Sequence, residues 1–109
     1  MTQRLFVYGT LAPGRPNEHV LSDISGTWAN ATVRGLLIQE GWGADQGYPG
    51  ILLDEFAETV EGMLLTSDNL QCEWARLDDF EGSQYERVVA RVQIEDGTIV
   101  DAFIYQLKK

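Results

Sequence analysis

The sequence predicts an α+β fold: one small domain over residues 1–109, in which a curled mixed β-sheet forms a partial barrel flanked by short helices. Three observations predict this fold. The chain has 109 residues and is 44% hydrophobic, which suffices for one core but not for two ordinary domains. Short apolar segments rich in β-branched residues recur along it. One stretch has the spacing of an amphipathic helix.

The first predicted strand, residues 5–8, is apolar and aromatic throughout and is expected to be buried on both faces. The segment after it is rich in glycine and proline and predicts a loop, followed by a short helix capped by Asn17. Further extended segments are predicted over residues 27–39, 51–53 and 60–66.

The C-terminal part of the sequence predicts a β-hairpin. Residues 85–95 and 98–107 are strand-like and flank Asp96 and Gly97, a pair typical of a type I′ turn. Apolar side chains alternate with polar ones along the first arm, so one face of this hairpin should contact solvent. Arg87 lies on the polar face, and we expect it to pair with a nearby carboxylate.

One helix is predicted from an N-cap at Ser67 to about Phe80. Its apolar stripe consists of Leu70, Trp74 and Leu77, and the next position on that stripe is residue 81. The stripe therefore places a carboxyl group, that of Glu81, on the buried face.

Burial and the negative end of the helix dipole both disfavour a charged Glu81, and both raise its pKa. A carboxyl group whose pKa lies near neutrality can act as a general base at pH 7. The alternative is a helix that ends one residue early and leaves Glu81 in solvent.

The junction after the first strand has the residues of an anion-binding loop. A glycine at a strand end lets backbone N–H groups converge on one point, and a substrate carboxylate would suit it. Thr10 would add a hydroxyl and Tyr8 a phenol. The alternative is a tight turn with Tyr8 in the core.

Composition excludes several classes of function. The net charge is −9, from 17 acidic and 8 basic residues, which disfavours nucleic acid and anionic membranes as partners. No apolar run approaches the length of a membrane span. One cysteine, Cys72, and one histidine, His19, predict neither a disulfide nor a metal site, and they favour a reducing, cytoplasmic setting.

With these features, the sequence resembles members of the gamma-glutamylcyclotransferase-like superfamily. The resemblance is strongest to its gamma-glutamylaminecyclotransferase branch and the small bacterial relatives of that branch. The motifs that carry the resemblance lie at residues 5–11, 16–17, 48–50, 60–62, 77–82 and 85–87. The glycine-rich segment 41–50 departs from the family pattern, and we expect it to influence substrate choice or to act as a lid.

The resemblance implies an enzyme that forms 5-oxoproline from a small gamma-glutamyl amine or amide by intramolecular attack, with no cofactor or metal. It implies that Glu81 is the general acid and base. The substrate-binding residues that it implies are Tyr8, Gly9, Thr10, Leu11, Tyr48 and Tyr85. The leaving amine and the oligomeric state stay open.

Two other functions are consistent with the same residues. A non-catalytic module could use this pocket to bind a small carboxylate or a peptide end. Hydrolysis of a lactam or amide would need a water molecule activated by the same glutamate.

Overall fold

The computed structural model describes residues 2–8, 21, 24–38, 50–82 and 85–107. The order of its elements along the chain is β1 (Gln3–Val7), β2 (Thr27–Ile38), β3 (Gly50–Leu53), β4 (Thr59–Ser67), a 3₁₀ turn (Leu70–Cys72), α1 (Trp74–Glu81), β5 (Tyr85–Ile94) and β6 (Ile99–Leu107). The predicted strands are confirmed, with their ends displaced by two residues at most. The predicted helix after Asn17 falls largely outside the described residues.

The six strands form one sheet in the order β3-β2-β4-β1-β6-β5, and β2 also pairs with β5. That last pairing, Ala31 with Ile94 and Thr32 with Gln93, closes five strands into a barrel. Strand β3 lies outside this barrel and pairs with β2. Strands β1 and β6 run parallel, while the other neighbouring pairs run antiparallel. The predicted curled mixed sheet is therefore confirmed.

Because the central strands of the barrel are buried on both faces, their apolar side chains form two clusters. On β1, Phe6 belongs to the interior cluster, while Leu5 and Val7 belong to the cluster beneath α1. All three side chains are at most 4% exposed. The prediction that the first strand is buried on both faces is confirmed.

The hairpin turn between β5 and β6 is not type I′, which would need a positive φ at both central residues. Gly97 has φ +94°, but no residue other than glycine has a positive φ in the described part of the chain. The Gly97 N–H donates to the Ile94 carbonyl at 2.8 Å, which makes a type I turn followed by a left-handed glycine. Asp96 accepts a hydrogen bond from the Thr98 N–H at 2.8 Å and favours this alternative.

The predicted continuous helix from Ser67 is also wrong, because α1 begins at Trp74. Ser67 pairs with Gln3 in the sheet, and its hydroxyl donates to the Ser25 carbonyl, so it remains part of β4. The C-terminal end agrees with the prediction: the helix includes Glu81 and stops at Gly82, which has φ +85°. Among the described residues, no helix is long and apolar enough to cross a lipid bilayer.

Candidate active site

The topology gathers the site residues at one end of the barrel. Because β1 and β6 are parallel and β5 is antiparallel to β6, the ends of β1 and β6 lie level with the start of β5. Tyr8 follows β1, Tyr105 lies near the end of β6, and Tyr85 begins β5. Helix α1 ends nearby, since the Tyr85 N–H donates to the Gly82 carbonyl at 3.3 Å.

Helix α1 packs on the sheet through Trp74 and Leu77, the two members of the predicted apolar stripe that it contains; Leu70 lies in the 3₁₀ turn before it. Leu77 is fully buried, and Trp74 is half-buried against Phe103 with ring centroids 5.0 Å apart. The Trp74 indole N–H donates to the Gln3 side chain on β1 at 2.7 Å. These contacts fix the rotation of the helix and turn residue 81 toward the barrel end.

Glu81 is half-buried in the last turn of α1, as the helical spacing predicts. Burial raises the pKa of its carboxyl from the ordinary 4.5 to about 7. No side chain among the described residues donates a hydrogen bond to it, so no such partner stabilises the charged form. At neutral pH, part of the Glu81 population is therefore deprotonated and can accept a proton, and part is protonated and can donate one.

Three tyrosines lie within electrostatic reach of this carboxyl: Tyr8, Tyr85 and Tyr105. Burial is the main cause that raises the pKa of each phenol, and the negative charge of Glu81 raises each one further; for Tyr105 the hydrogen bond to Asp78 raises the pKa more than Glu81 does. Tyr105 is the member that sequence reasoning did not identify. The hairpin register could have indicated it, because Tyr105 pairs with Arg87 across β5 and β6.

Two of the three hydroxyl groups are already in use. Tyr8 donates to the Tyr105 carbonyl at 2.8 Å and accepts from the Ile51 N–H at 3.0 Å. Tyr105 donates to Asp78 Oδ1 at 2.6 Å. The Tyr85 hydroxyl makes no hydrogen bond within the described part of the chain. It is thus the phenol best able to bind a further group.

Arg87 makes the predicted salt bridge, with Nε lying 3.5 Å from Asp78 Oδ1. Its guanidinium also lies over Trp74, 4.4 Å from the ring centre, and 5.4 Å from that of Phe103. Its Nη1 is buried without a hydrogen-bond partner in the described residues, consistent with this stacked position. The charge of Arg87 is therefore committed to Asp78 and two rings.

The remaining predicted substrate-binding residues lie outside the described residues: Gly9, Thr10, Leu11 and Tyr48. Trp42 and the rest of the predicted lid segment lie outside them also, apart from Gly50. Within the described ranges, no group of three His, Cys, Asp or Glu side chains could hold a metal ion. What the described residues contribute is one half-buried carboxyl with a raised pKa and one phenol whose hydroxyl has no partner among them, which suits chemistry that moves protons on a small polar molecule.

Comparison with known proteins indicates the family of the chain. A family model described as gamma-glutamyl cyclotransferase, AIG2-like, matches residues 5–109. An AIG2-like protein from Mus musculus is 30% identical; the match covers 96% of this chain and 76% of the mouse protein, with a TM-score of 0.69. A protein from Arabidopsis thaliana is 27% identical, with coverage of 97% and 68% and a TM-score of 0.70.

YkqA from Bacillus subtilis is 28% identical with a TM-score of 0.74; the match covers 99% of this chain but 36% of YkqA, so this chain corresponds to about a third of that protein. The comparison with curated proteins finds no match. Because the family model covers nearly the whole chain, this protein belongs to the gamma-glutamyl cyclotransferase, AIG2-like family.

Proposed function

We propose that this protein is a gamma-glutamyl cyclotransferase that releases 5-oxoproline and a free amine from a small gamma-glutamyl amine or amide. The observation that carries the proposal is Glu81, a half-buried carboxyl with its pKa raised to about 7 at the end of the barrel. Family membership supports the reaction type. The single cysteine of the sequence, exposed and unpaired, fits a cytoplasmic setting.

The proposed reaction is intramolecular and balances without an oxidant or a second substrate. The α-amine nitrogen attacks the gamma-carbonyl carbon, a new C–N bond closes the five-membered lactam, and the C–N bond to the leaving amine breaks. Glu81 takes one proton from the α-ammonium group and delivers it to the leaving nitrogen. The second proton leaves the attacking nitrogen as the lactam forms and passes through the regenerated carboxylate to the departing amine, which leaves as an ammonium ion, so Glu81 ends as a carboxylate. Holding the amine against its own carbonyl supplies proximity worth several kcal/mol.

The substrate-binding residues are assigned from the resemblance and from the available phenol. Backbone N–H groups of Gly9, Thr10 and Leu11 bind the α-carboxylate, and Tyr48 lines the same pocket. Tyr85 donates its unused hydroxyl to the substrate. The ring of Tyr8 forms part of the wall, because its hydroxyl is occupied by Ile51 and Tyr105.

The test is incubation with a panel of gamma-glutamyl amines and dipeptides, with 5-oxoproline and the free amine quantified by mass spectrometry. Glu81→Gln should retain the fold and abolish release from a substrate that the wild type converts. Asp79→Asn is the matched control, because Asp79 is an exposed carboxylate on the same helix. Equal turnover by Glu81→Gln would remove Glu81 from the mechanism. If the wild type binds members of the panel without converting them, the protein is a binding module. If the wild type releases free glutamate, the reaction is hydrolysis.

The pKa of Glu81 also sets an expected pH profile. The base is the deprotonated form, so kcat/KM should rise as pH increases and level off above about pH 7. A profile whose acid limb lies near pH 4.5 would mean that the active base is a solvated carboxyl rather than Glu81 in the position described.

A further inference from the structure

We propose that Asp78 is a positioning residue: through Tyr105 it fixes the end of α1 and thereby the place of Glu81. The inference rests on the proposed role of Glu81 and adds residues that this role does not require by itself. Asp78 lies three positions before Glu81, so their side chains are neighbours along one helix face. Its Oδ1 accepts the Tyr105 O–H at 2.6 Å and lies 3.5 Å from Arg87 Nε.

Other contacts hold both partners of Asp78 in place: Tyr105, which donates the hydrogen bond, and Arg87, which forms the ion pair. Tyr105 is 3% exposed in the cluster beneath the helix, and the guanidinium of Arg87 lies over the rings of Trp74 and Phe103. A pair of mobile surface charges contributes little to stability. One short hydrogen bond from a buried phenol, together with an ion pair to a stacked guanidinium, instead specifies where the Asp78 oxygen lies, and with it one turn of α1.

The connection continues across the barrel end. The carbonyl of Tyr105 accepts the hydroxyl of Tyr8, and that hydroxyl oxygen accepts the N–H of Ile51 on β3. Hydrogen bonds thus run from α1 through β6 and the end of β1 to β3. The helix that carries the proposed base is tied to the strands that form the other walls of the site.

Glu81 depends on this connection because its carboxyl receives no hydrogen bond from a described side chain. Its place is set by the helix, which has eight residues and one fully buried side chain, Leu77. The titratable groups near it are Asp78 on the same helix face and the phenols of Tyr8, Tyr85 and Tyr105, on which the charge of Glu81 acts. Tyr105→Phe changes none of these charges except through position, so it separates positioning from the loss of the Asp78 charge. If the last turn moved outward, water would reach Glu81 and its pKa would fall toward the ordinary value.

The experiment measures this titration directly, by following the side-chain carboxyl ¹³C shift of Glu81 by NMR against pH, without substrate. Asp78→Ala removes the acceptor, Asp78→Asn retains an acceptor oxygen, and Tyr105→Phe removes the hydroxyl without changing any charge. Asp79→Ala is the matched control, since it deletes the adjacent exposed carboxylate. Thermal melts of each variant report whether it is folded.

We expect Asp78→Ala and Tyr105→Phe to lower the Glu81 midpoint by about one pH unit or more relative to Asp79→Ala. In Asp78→Asn, which retains an acceptor oxygen, the Glu81 midpoint should lie close to that of Asp79→Ala. In turnover assays, Tyr105→Phe should lower kcat by about tenfold with little change in KM, as expected for a displaced base.

Midpoints in Asp78→Ala and Tyr105→Phe equal to that of Asp79→Ala would overturn the inference, whatever the activity. If Asp78→Ala does not fold, Tyr105→Phe decides alone. Failure of the proposed function is read separately, from a wild type that releases no 5-oxoproline or from a Glu81→Gln variant that still does.

Discussion

Replacing Glu81 by Gln should make the protein more stable above pH 7 while it removes the proposed base. The folded protein binds the Glu81 proton more tightly than the unfolded chain does, because burial raises the pKa from 4.5 to about 7. The wild type therefore loses stability as pH rises through this window. Glutamine does not titrate, so the variant avoids that loss.

The size of the effect follows from the two pKa values. The change from 4.5 to about 7 corresponds to about 3 kcal/mol in the free energy of unfolding. Because Glu81 keeps part of its surface in water, we expect about 2 kcal/mol to be realised. For a domain of this size, that corresponds to a rise in Tm of roughly 8 °C.

The assay is urea denaturation of both proteins from about pH 4 to about pH 8, with the difference in unfolding free energy plotted against pH. The difference at the acid end gives the effect of the substitution itself, and its growth toward the alkaline end gives the cost of the buried charge. Glu58→Gln is the control for losing one exposed negative charge from this acidic chain. A difference that does not change with pH beyond that control would refute the reasoning.

Three other substitutions test the structure around the site. Tyr8→Phe should lower the free energy of unfolding by about 1–3 kcal/mol in urea titrations, since the Ile51 N–H and the Tyr105 carbonyl lose their partner. Gly97→Ala should lower it by about 1 kcal/mol, because its φ of +94° is strained for a residue with a Cβ atom; an unchanged Tm would contradict the turn described. Leu77→Ala should cost about 2–5 kcal/mol and reduce 5-oxoproline release, since Leu77 anchors the helix that carries the proposed base; full activity would argue against that anchoring.

The position of Glu81 could be predicted from sequence because it depends on local geometry. Trp74 and Leu77 mark the buried side of α1, and a helix that packs on this side brings residue 81 to it whatever the helix packs against. The start of that helix could not be predicted in the same way. Ser67 is a good N-cap in isolation, but its pairing with Gln3 keeps it in the sheet.

The contact between Tyr8 and Tyr105 could not be predicted because it joins distant segments of the chain. Tyr8 and Tyr105 are 97 positions apart, and no periodicity links them. They meet because β1 and β6 run parallel and because β2 closes the barrel against β5. The prediction of a type I′ turn at Asp96 and Gly97 was wrong for a more local reason. The Asp96 side chain accepts a hydrogen bond from the Thr98 N–H and stabilises a type I turn instead.

The arrangement also explains why a buried carboxyl keeps a raised pKa with an arginine on the adjacent strand. A cation within a few ångströms would lower the pKa of Glu81 and weaken it as a base. Burial is the one identified cause of the shift, so Arg87 does not compensate the charge. Its guanidinium is instead held by Asp78 and the face of Trp74. Asp78 therefore has two contacts that bear on the same chemistry: through Tyr105 it fixes the last turn of α1, as proposed above, and it pairs with the cation of the adjacent strand.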